Sequence, residues 1–580
     1  MVELKHLNKY FLKYKIKIII GIFITIIARI FALITPNLIG DSITIIENYT
    51  SNSSLEIEVI KSKLLTNILM IVVSAIIAGI FTFIMRQMLI NVSRFIEFDL
   101  KNEIYNKYQF LSFDFYKNNR TGDLMNRISE DVSKVRMYIG PAIMYTINTF
   151  SLFIIVITYM ISVAPKLTMY TLIPLPILSF IIYKISIIIN FKSKIVQEYL
   201  SKLTTYTQES FSGVKIIKTY NIEDNINKEL NKLADKSRAK NMSLVKIQAW
   251  FFPLMILLIG ISNILVVFIG GKQYMNNEIE LGVLAEFIIY VNMLTWPVAT
   301  VGWVTSIVQQ AEASQKRINE FLSAQSSVKN ISNKKTEIEG KIEFKNIEFV
   351  YPETNINALK NVSFSINRGD SLAIMGDIGS GKTTVLELLC RIYDPSNGKI
   401  LIDDLNIKRV NIEDLRNSIG YVPQSTFLFS ETINKNIKFG NENASKNEVE
   451  DAANKVCLSD EIKLFKNGYN TLLGERGVNL SGGQKQRLAI ARAIIKKPKI
   501  LILDDSLSAV DTETEEIILS SINKVSKEIT LLIATHRIST AKNCNKILIL
   551  ENGKVIEYGS HNELIAKDGY YANTVLKQSK

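Results

Sequence analysis

Cysteine is scarce in this sequence, with three residues in 580: Cys390, Cys457 and Cys544. They are not spaced like the ligands of a structural metal, so the sequence predicts neither a disulfide framework nor a zinc site. The numbers of glycine and proline residues are low, at 27 and 11, which excludes a collagen-like chain. The 47% of hydrophobic residues can bury a core, which excludes disorder.

Apolar runs are concentrated before about residue 310, and the remaining sequence reads as a soluble α/β domain. The mean hydropathy of +0.16 is high for a wholly soluble protein. A length of 580 residues allows several domains. This asymmetry predicts a membrane half joined to a soluble half.

Six apolar stretches have about the 20 residues that a helix needs to cross a bilayer. They are residues 17–39, 66–88, 141–163, 167–190, 247–270 and 283–308. The first stretch is too long for a signal peptide and no small-residue cleavage site follows it. We expect an amphipathic interfacial helix over residues 3–14, and a short loop with Pro165 and Lys166 between the third and fourth spans.

Loop charge predicts the orientation in the membrane. The segments 92–140 and 191–246 are rich in Lys and Arg, whereas the loop 41–61 is mainly acidic. Positively charged loops favour the cytoplasmic side of a membrane, so both termini and the soluble half are expected in the cytoplasm. The membrane is expected to be the cytoplasmic (inner) membrane. These lysines also explain the net charge of +13, so no nucleic-acid partner is predicted.

The two basic segments have helical periodicity rather than loop composition. Residues 89–112 continue the second span without a helix breaker, and residues 192–246 contain no proline. Structureless loops of this length are uncommon. We therefore expect helices that extend beyond the membrane and turn at short helices near residues 118–123 and 212–213, which contact the soluble domain.

Two ionisable residues fall within predicted spans, Arg29 in the first and Glu286 in the sixth. They could pair with each other, or either could face a substrate cavity. Aromatic residues at 250–252, 296 and 303 could line a cavity for apolar cations, or they could pack at the membrane interface.

A glycine-rich motif lies between a predicted strand and a predicted helix in the soluble half. It reads Gly376, Asp377, Ile378, Gly379, Ser380, Gly381, Lys382, Thr383 and Thr384. Glycines let backbone N–H groups curl around phosphate oxygens, and the helix N-terminus adds positive potential. This spacing predicts a phosphate-binding loop, in which Lys382 reaches the β- and γ-phosphates and the Thr383 hydroxyl binds Mg²⁺.

Two further motifs complete the predicted site. A strand over residues 499–503 runs into Asp504 and Asp505, which predicts an acid presented to Mg²⁺. A second anion-binding turn opens the helix 484–496, and it contains Leu480, Ser481, Gly482, Gly483 and Gln484. One nucleotide does not need two phosphate-binding sites in one domain, so the second site is expected to bind a nucleotide held by another subunit.

These motifs resemble those of the ATP-binding cassette (ABC) transporters, specifically half-size exporters that fuse one membrane domain to one nucleotide-binding domain. The resemblance covers essentially the whole chain. It implies a multi-domain protein with an all-α transmembrane domain of six helices over residues 1–322 and a linker over 323–340. An α/β P-loop nucleotide-binding domain with a helical subdomain follows over 341–580. It also implies ATP and Mg²⁺ as cofactors.

Further matches occur in the order expected for that family, and the resemblance implies their roles. Tyr351 resembles the aromatic residue that stacks on adenine, and Gln424 the glutamine that links the metal to the membrane domain. His536 resembles the histidine that contacts the γ-phosphate. Four longer segments also match. Residues 508–511 resemble the loop that faces the partner subunit, and residues 471–477 resemble a segment characteristic of exporters. Residues 113–127 and 209–218 resemble the two coupling regions of the membrane half.

One residue departs from the family pattern, because Asp505 stands where a glutamate usually polarises the attacking water. Aspartate is shorter by one C–C bond, about 1.5 Å, and a misplacement of about 1 Å can cost about 10²-fold in rate. We expect this chain to bind ATP well and to hydrolyse it slowly. The resemblance favours a heterodimer whose partner supplies the glutamate, and a homodimer with two slow sites is the alternative.

The implied activity is ATP-driven export by alternating access across the lipid bilayer, with two chains holding two ATP molecules between their nucleotide-binding domains. The substrate class is a small molecule or lipid, hydrophobic or amphipathic. Two other functions use the same parts: an exporter-shaped importer, for example of a metal chelate, and a nucleotide-gated channel or regulator.

Overall fold

The computed structural model describes residues 2–51, 57–332, 334–474, 477–525 and 529–578. The chain divides into two compact units. The first comprises Met1–Tyr108 and Gly122–Ser323, and the second comprises Gln109–Thr121 and Ala324–Lys580. A short segment between two long helices of the membrane half therefore packs with the soluble half.

The first unit is built from helices, as its apolar runs predict. A 3₁₀ turn over Glu3–Leu7 precedes the first of them. The helices up to residue 323 are α1 (Asn8–Lys13), α2 (Lys15–Ser51), α3 (Ile57–Phe110), α4 (Phe113–Asn118, in the second unit), α5 (Thr121–Asn126), α6 (Val132–Met137), α7 (Ile143–Val163), α8 (Pro165–Leu172), α9 (Pro174–Ser212), α10 (Val214–Tyr220), α11 (Glu223–Gln248), α12 (Phe251–Leu265), α13 (Gly271–Met275) and α14 (Leu281–Ser323).

Within the described residues, six helical stretches are long and apolar enough to cross a membrane, by length and composition, which confirms the six predicted spans. They are Lys15–Thr50, Ile57–Phe110, Thr121–Val163, Pro165–Ser212, Glu223–Met275 and Leu281–Ser323. Helix α3 is the longest, at 54 residues, or about 80 Å at 1.5 Å per residue. It therefore extends well beyond the ~30 Å hydrocarbon core of a bilayer.

The predicted loop at Pro165 and Lys166 is wrong, because both residues begin helix α8. Only Ala164 separates α7 from α8, with φ −147° and ψ 84°. Proline is favoured at the first position of a helix, where its missing N–H would be unpaired in any case. The break therefore falls one residue earlier than the proline suggests.

Glu286 is held by neutral side chains in the membrane half rather than by Arg29. It is 4% exposed, and Oε1 accepts hydrogen bonds from Tyr290 Oη at 2.8 Å and from Asn37 Nδ2 at 3.3 Å. Asn37 Nδ2 also donates to Tyr159 Oη at 2.5 Å. Arg29 Nε is buried without a hydrogen-bond partner, so the structure gives no support to the suggested ion pair.

The N-terminal segment is fixed along the C-terminal part of α3. Lys9 Nζ and the Tyr10 hydroxyl both donate to the Glu103 carboxylate. One helical turn away, Lys13 Nζ donates to Asp99 Oδ2 at 2.6 Å. These paired contacts recur at the four-residue spacing of one helix face.

The described residues of the second unit form two sheets. Its strands are β1 (Ile342–Val350), β2 (Asn357–Ile366), β3 (Ser371–Met375), β4 (Asn397–Ile402), β5 (Leu405–Asn406), β6 (Ile419–Val422), β7 (Ile500–Asp504), β8 (Thr530–Ala534), β9 (Lys546–Glu551) and β10 (Lys554–Gly559). The smaller sheet is antiparallel in the order β2-β1-β4-β5, and the larger follows the order β10-β9-β3-β8-β7-β6. In the larger sheet, the strands from β9 to β6 are parallel.

Helices pack around these sheets. They are α15 (Lys382–Leu389), α16 (Ile412–Ser418), α17 (Ile433–Lys438), α18 (Lys446–Lys455), α19 (Ser459–Leu464), α20 (Gly482–Ile494), α21 (Thr512–Val525), α22 (Ile538–Ala541), α23 (His561–Ala566) and α24 (Tyr570–Gln578). Strands β3, β7 and β8 are buried at every residue, which is typical of parallel strands covered on both faces. In the predicted exporter segment 471–477, Glu475 and Arg476 lie outside the described residues.

Candidate nucleotide-binding site

The predicted motifs follow four neighbouring strands of the larger sheet. Strand β3 leads into the glycine-rich loop, β8 leads to His536, β7 ends at Asp504 and β6 leads to Gln424. These strands are parallel, so their carboxyl ends meet at one edge, where ligands of such sheets bind. The fold thereby gathers residues that are up to 160 positions apart in the sequence.

The glycine-rich loop needs glycine at two positions because the backbone is in the left-handed region and closely surrounded. Gly376 has φ +145°, and a Cβ there would lie 2.1 Å from the carbonyl oxygen of Leu550. Gly381 has φ +103°, and its Cβ would lie 2.8 Å from the oxygen of Ala358. The loop leads directly into α15, whose first N–H groups have no partner within the helix.

Two side chains in this loop have polar groups suited to a phosphate. Lys382 Nζ donates to the carbonyl oxygens of Gly376 and Asp377, both at 2.8 Å. Burial lowers the pKa of Lys382, while the charges of nearby aspartates oppose that effect. Ser380 is 3% exposed, and its Oγ has no hydrogen-bond partner. Phosphate oxygens would satisfy both groups, and an unsatisfied buried hydroxyl is otherwise costly.

Asp504 and Thr383 form a group that fits Mg²⁺. Thr383 Oγ1 donates to Asp504 Oδ1 at 3.2 Å, and Asp504 Oδ2 is buried without a partner. Burial raises the pKa of Asp504, and the negative charge of Asp505 adds to that effect. Mg²⁺ prefers oxygen ligands, and it is usually bound by one or two protein groups together with substrate phosphates.

Two of the three residues predicted as catalytic, His536 and Gln424, approach the carboxylate of the third, Asp505. Asp505 Oδ1 is 3.2 Å from His536 Nδ1, and Gln424 Nε2 donates to Asp505 Oδ2 at 3.5 Å, the limit of a hydrogen bond. Asp505 has φ +46°, a left-handed conformation that aspartate tolerates better than most residues. The Asp505 side chain is 23% exposed, so a water molecule can reach it.

Tyr351 lies beside the helix that follows the glycine-rich loop. Its hydroxyl oxygen is 2.9 Å from Thr384 Oγ1, and it donates to Glu387 Oε2 at 3.1 Å. Burial raises the pKa of Tyr351 to about 12, so the phenol stays neutral at physiological pH. The structure therefore places the predicted adenine-stacking residue next to the predicted phosphate site.

The turn predicted to bind a second anion forms the N-terminus of α20. Ser481 Oγ accepts a hydrogen bond from Gln484 N, and Gln484 Oε1 accepts one from Ser481 N, which is a capping box. Gly483 is packed tightly, since a Cβ there would lie 2.8 Å from the oxygen of Ala509. In the part of the chain that the structure describes, no hydrogen bond joins residues 481–484 to the loop 376–384.

Sequence reasoning missed several residues that position this site. Glu461 Oε2 accepts from Gln484 Nε2 at 2.7 Å, and Tyr570 Oη donates to Asp377 Oδ1 at 2.9 Å. Gln578 Nε2 donates to the carbonyl oxygen of His536 at 2.8 Å. None of the three lies in a local motif, so no signal in the sequence marks them.

Two family descriptions match the chain. Residues 18–298 match the ABC transporter transmembrane region, and residues 359–508 match the ABC transporter family. Both matches lie in the halves where the sequence predicts them.

Curated relatives match over nearly the full length. The multidrug resistance-like ATP-binding protein MdlA of Buchnera aphidicola subsp. Baizongia pistaciae is 37% identical, over 99% of each chain. The probable multidrug resistance ABC transporter ATP-binding/permease protein YheI of Bacillus subtilis is 32% identical, over 99% of this chain and 97% of that one. A solved structure of a bacterial Atm1-family ABC exporter with ATP bound aligns with a TM-score of 0.82 over 98% of each chain. Its identity is 24%, so this likeness is one of fold.

Proposed function

The chain belongs to the ATP-binding cassette (ABC) transporters, and on that premise we propose that it exports a hydrophobic or amphipathic substrate as one half of a dimer. ATP drives the substrate, a small molecule or lipid, out across the cytoplasmic (inner) membrane by alternating access. Both termini and the nucleotide-binding domain lie in the cytoplasm. The observation that carries this proposal is the fusion, in one chain, of six membrane-spanning helices to nucleotide motifs gathered at one sheet edge.

We assign the nucleotide contacts to the predicted residues. The loop from Gly376 to Thr384 holds the phosphates, with Lys382 on the β- and γ-phosphates and the Ser380 hydroxyl as a further donor. Tyr351 stacks on adenine. Thr383 and Asp504, with Gln424, would hold Mg²⁺, which would neutralise phosphate charge in the transition state.

The attacking water is oriented by Asp505, and His536 holds the γ-phosphate and the Asp505 carboxylate. A general base must approach within about 2.6–3.2 Å of the proton it takes. The Asp505 carboxylate lies back by about one C–C bond relative to a glutamate. Hydrolysis at this chain's own site is therefore slow, although nucleotide binding is intact.

The separation of the phosphate-binding loop, residues 376–384, from the turn at residues 481–484 supports dimerisation. Residues 481–484 form a complete helix N-terminus that satisfies its own cap and is not bonded to the phosphate loop. Its free N–H groups suit a phosphate held by a second chain. We favour a heterodimer, in which this intact turn completes a partner's site that carries a glutamate.

The names of the relatives motivate the substrate class. Two of them are described as multidrug resistance-like or probable multidrug resistance proteins. In this chain, Trp250 and Trp296 are more than 60% exposed, so they are available to line a cavity completed by the second subunit.

Co-purification and transport test the proposal together. The chain, tagged at its C-terminus and isolated from its native membranes, should bring down a second half-transporter with glutamate after its strand-terminal aspartate. In proteoliposomes, ATP should drive dye accumulation in inside-out vesicles, and Lys382→Ala in this chain should reduce it. Accumulation that is independent of ATP would refute the pump, and recovery of this chain alone with full ATPase activity would refute the heterodimer.

A further inference from the structure

The ammonium group of Lys117 lies among three aromatic rings. Its Nζ is 4.7 Å from the ring centroid of Tyr351, 5.2 Å from that of Tyr393 and 5.4 Å from that of Phe113. All three distances fall within the range of about 6 Å for cation–π attraction. Lys117 and Phe113 belong to α4, the short helix that packs with the nucleotide-binding unit. The cluster is therefore an aromatic cage already filled by a side chain of α4.

The ring of Tyr351 is also held by contacts within the nucleotide-binding unit. Phe349 and Tyr393 meet it nearly at right angles, with interplanar angles of 79° and 90°. The Tyr351 hydroxyl is bonded to Thr384 and Glu387 on the helix after the phosphate loop. Lys117 thus covers one face of a ring that Phe349 and Tyr393 also contact.

We propose that Lys117 and the adenine of bound ATP compete for the same face of Tyr351, so that Lys117 reports nucleotide binding to α4. This inference rests on the proposed function, which has Tyr351 stacking on adenine. A stacked base lies at about 3.5–4.0 Å, the contact distance of carbon atoms. A base at that distance and an ammonium group at 4.7 Å cannot occupy one face together.

Release of Lys117 would remove one of the attachments of α4. Other attachments lie next to it, since Ser327 Oγ donates to Ser112 Oγ at 3.0 Å and to Asp114 Oδ1 at 3.1 Å. Phe113 also contacts Tyr393, with centroids 6.3 Å apart. Helix α4 directly follows α3, which spans the membrane. Loss of the contact between Lys117 and Tyr351 would therefore be transmitted along the chain from α4 to α3.

The test measures photolabelling of this chain by 8-azidoadenosine triphosphate on ice, in the full-length purified transporter. Lys117→Met removes the charge and keeps most of the length, and Lys117→Arg is the matched control that keeps a cation. Lys117→Met should lower the half-saturating concentration about two- to fivefold, the effect of losing one partly exposed cation–π contact. Lys117→Arg should label like the wild type. Competition by inorganic tripolyphosphate, which lacks a base, should be the same in all three proteins.

Equal or weaker labelling of Lys117→Met, or an equal change in tripolyphosphate competition, would overturn the inference. Lys382→Ala separates the two proposals. If it abolishes labelling while Lys117→Met labels like the wild type, only the role of Lys117 is wrong. If Lys382→Ala labels normally, the assignment of the nucleotide site itself is wrong.

A second measurement needs no variant. Acylation of Lys117 by an amine-reactive reagent, read by mass spectrometry, should rise when a non-hydrolysable ATP analogue is added and should not rise with tripolyphosphate. Lys446, with a side chain that is 87% exposed, is the control lysine. An unchanged or reduced rate at Lys117 would refute competition for the ring.

Discussion

Replacing Asp505 with glutamate should speed ATP hydrolysis at this chain's own site. The aspartate carboxylate is held between His536 Nδ1, at 3.2 Å, and Gln424 Nε2, at 3.5 Å. The extra methylene carries the carboxylate about 1.5 Å further into the space where the attacking water must lie. The Asp505 side chain is 23% exposed, so a glutamate has room to extend.

The size of the effect follows from the cost of misplacing a catalytic group. A displacement of about 1 Å can change the rate by about 10²-fold, which corresponds to about 2.7 kcal/mol of activation free energy. Glutamate tolerates the left-handed backbone at φ +46° less well than aspartate, and such strain costs roughly 1–2 kcal/mol of stability. We therefore expect a gain of about 10–100-fold in hydrolysis and a slightly less stable protein.

Vanadate trapping of azido-labelled ADP on this chain measures hydrolysis at its site, independently of a partner's site. Asp505→Asn is the matched control, because it keeps the length and removes the base, and it should trap less than the wild type. If Asp505→Glu binds ATP normally and traps no faster than the wild type, the reasoning from carboxylate reach is wrong.

Three further predictions concern the nucleotide site. Lys382→Ala should weaken ATP binding at least tenfold, as expected for losing a charge-assisted contact of about 1.5–3 kcal/mol, measured by equilibrium binding of a fluorescent ATP analogue, with surface Lys446→Ala as the control. Gly381→Ala should abolish binding and lower the melting temperature, because φ is +103° and the new Cβ would lie 2.7–2.8 Å from Leu359 and Ala358; unchanged binding would contradict the loop geometry. Asp504→Asn should raise the melting temperature of the nucleotide-free protein, since burial and Asp505 raise the pKa of Asp504 and thus penalise its charged form, while Mg²⁺-dependent hydrolysis is lost.

The features that the sequence predicts well are those with local signals. Hydropathy alone predicts six spans, because a helix in a bilayer must be apolar over about 20 consecutive residues. The glycine-rich loop is predictable because its spacing reflects a backbone requirement, visible in the close approach of Leu550 to Gly376. The predicted boundary at Pro165 is wrong because proline marks either a loop or the first turn of a helix, and the sequence does not distinguish them.

Contacts between distant parts of the chain leave no such signal. Tyr570 reaches Asp377 across 193 positions, and Gln578 reaches the backbone of His536 across 42. Lys117 reaches Tyr351 only because a short segment of the membrane half packs with the nucleotide-binding unit. Charge patterning places that lysine only on the cytoplasmic side and gives no indication of its aromatic neighbours.

The turn at residues 481–484 matches the family pattern, whereas Asp505 departs from it. This difference leads to a test of whether the chain forms a homodimer or a heterodimer. The turn at 481–484 has a capping box and is anchored by Glu461, so we expect its remaining N–H groups to be well placed for another chain's ATP. Asp505, the residue that we propose orients the attacking water, is shorter than glutamate by one methylene. In a homodimer both sites combine a sound turn with Asp505, so Asp505→Glu would accelerate the whole ATPase. In a heterodimer whose partner carries a glutamate, the same substitution would at most about double total hydrolysis, whereas trapping on this chain would rise about 10–100-fold. Comparing the two readouts therefore distinguishes the assemblies even before the partner chain is identified.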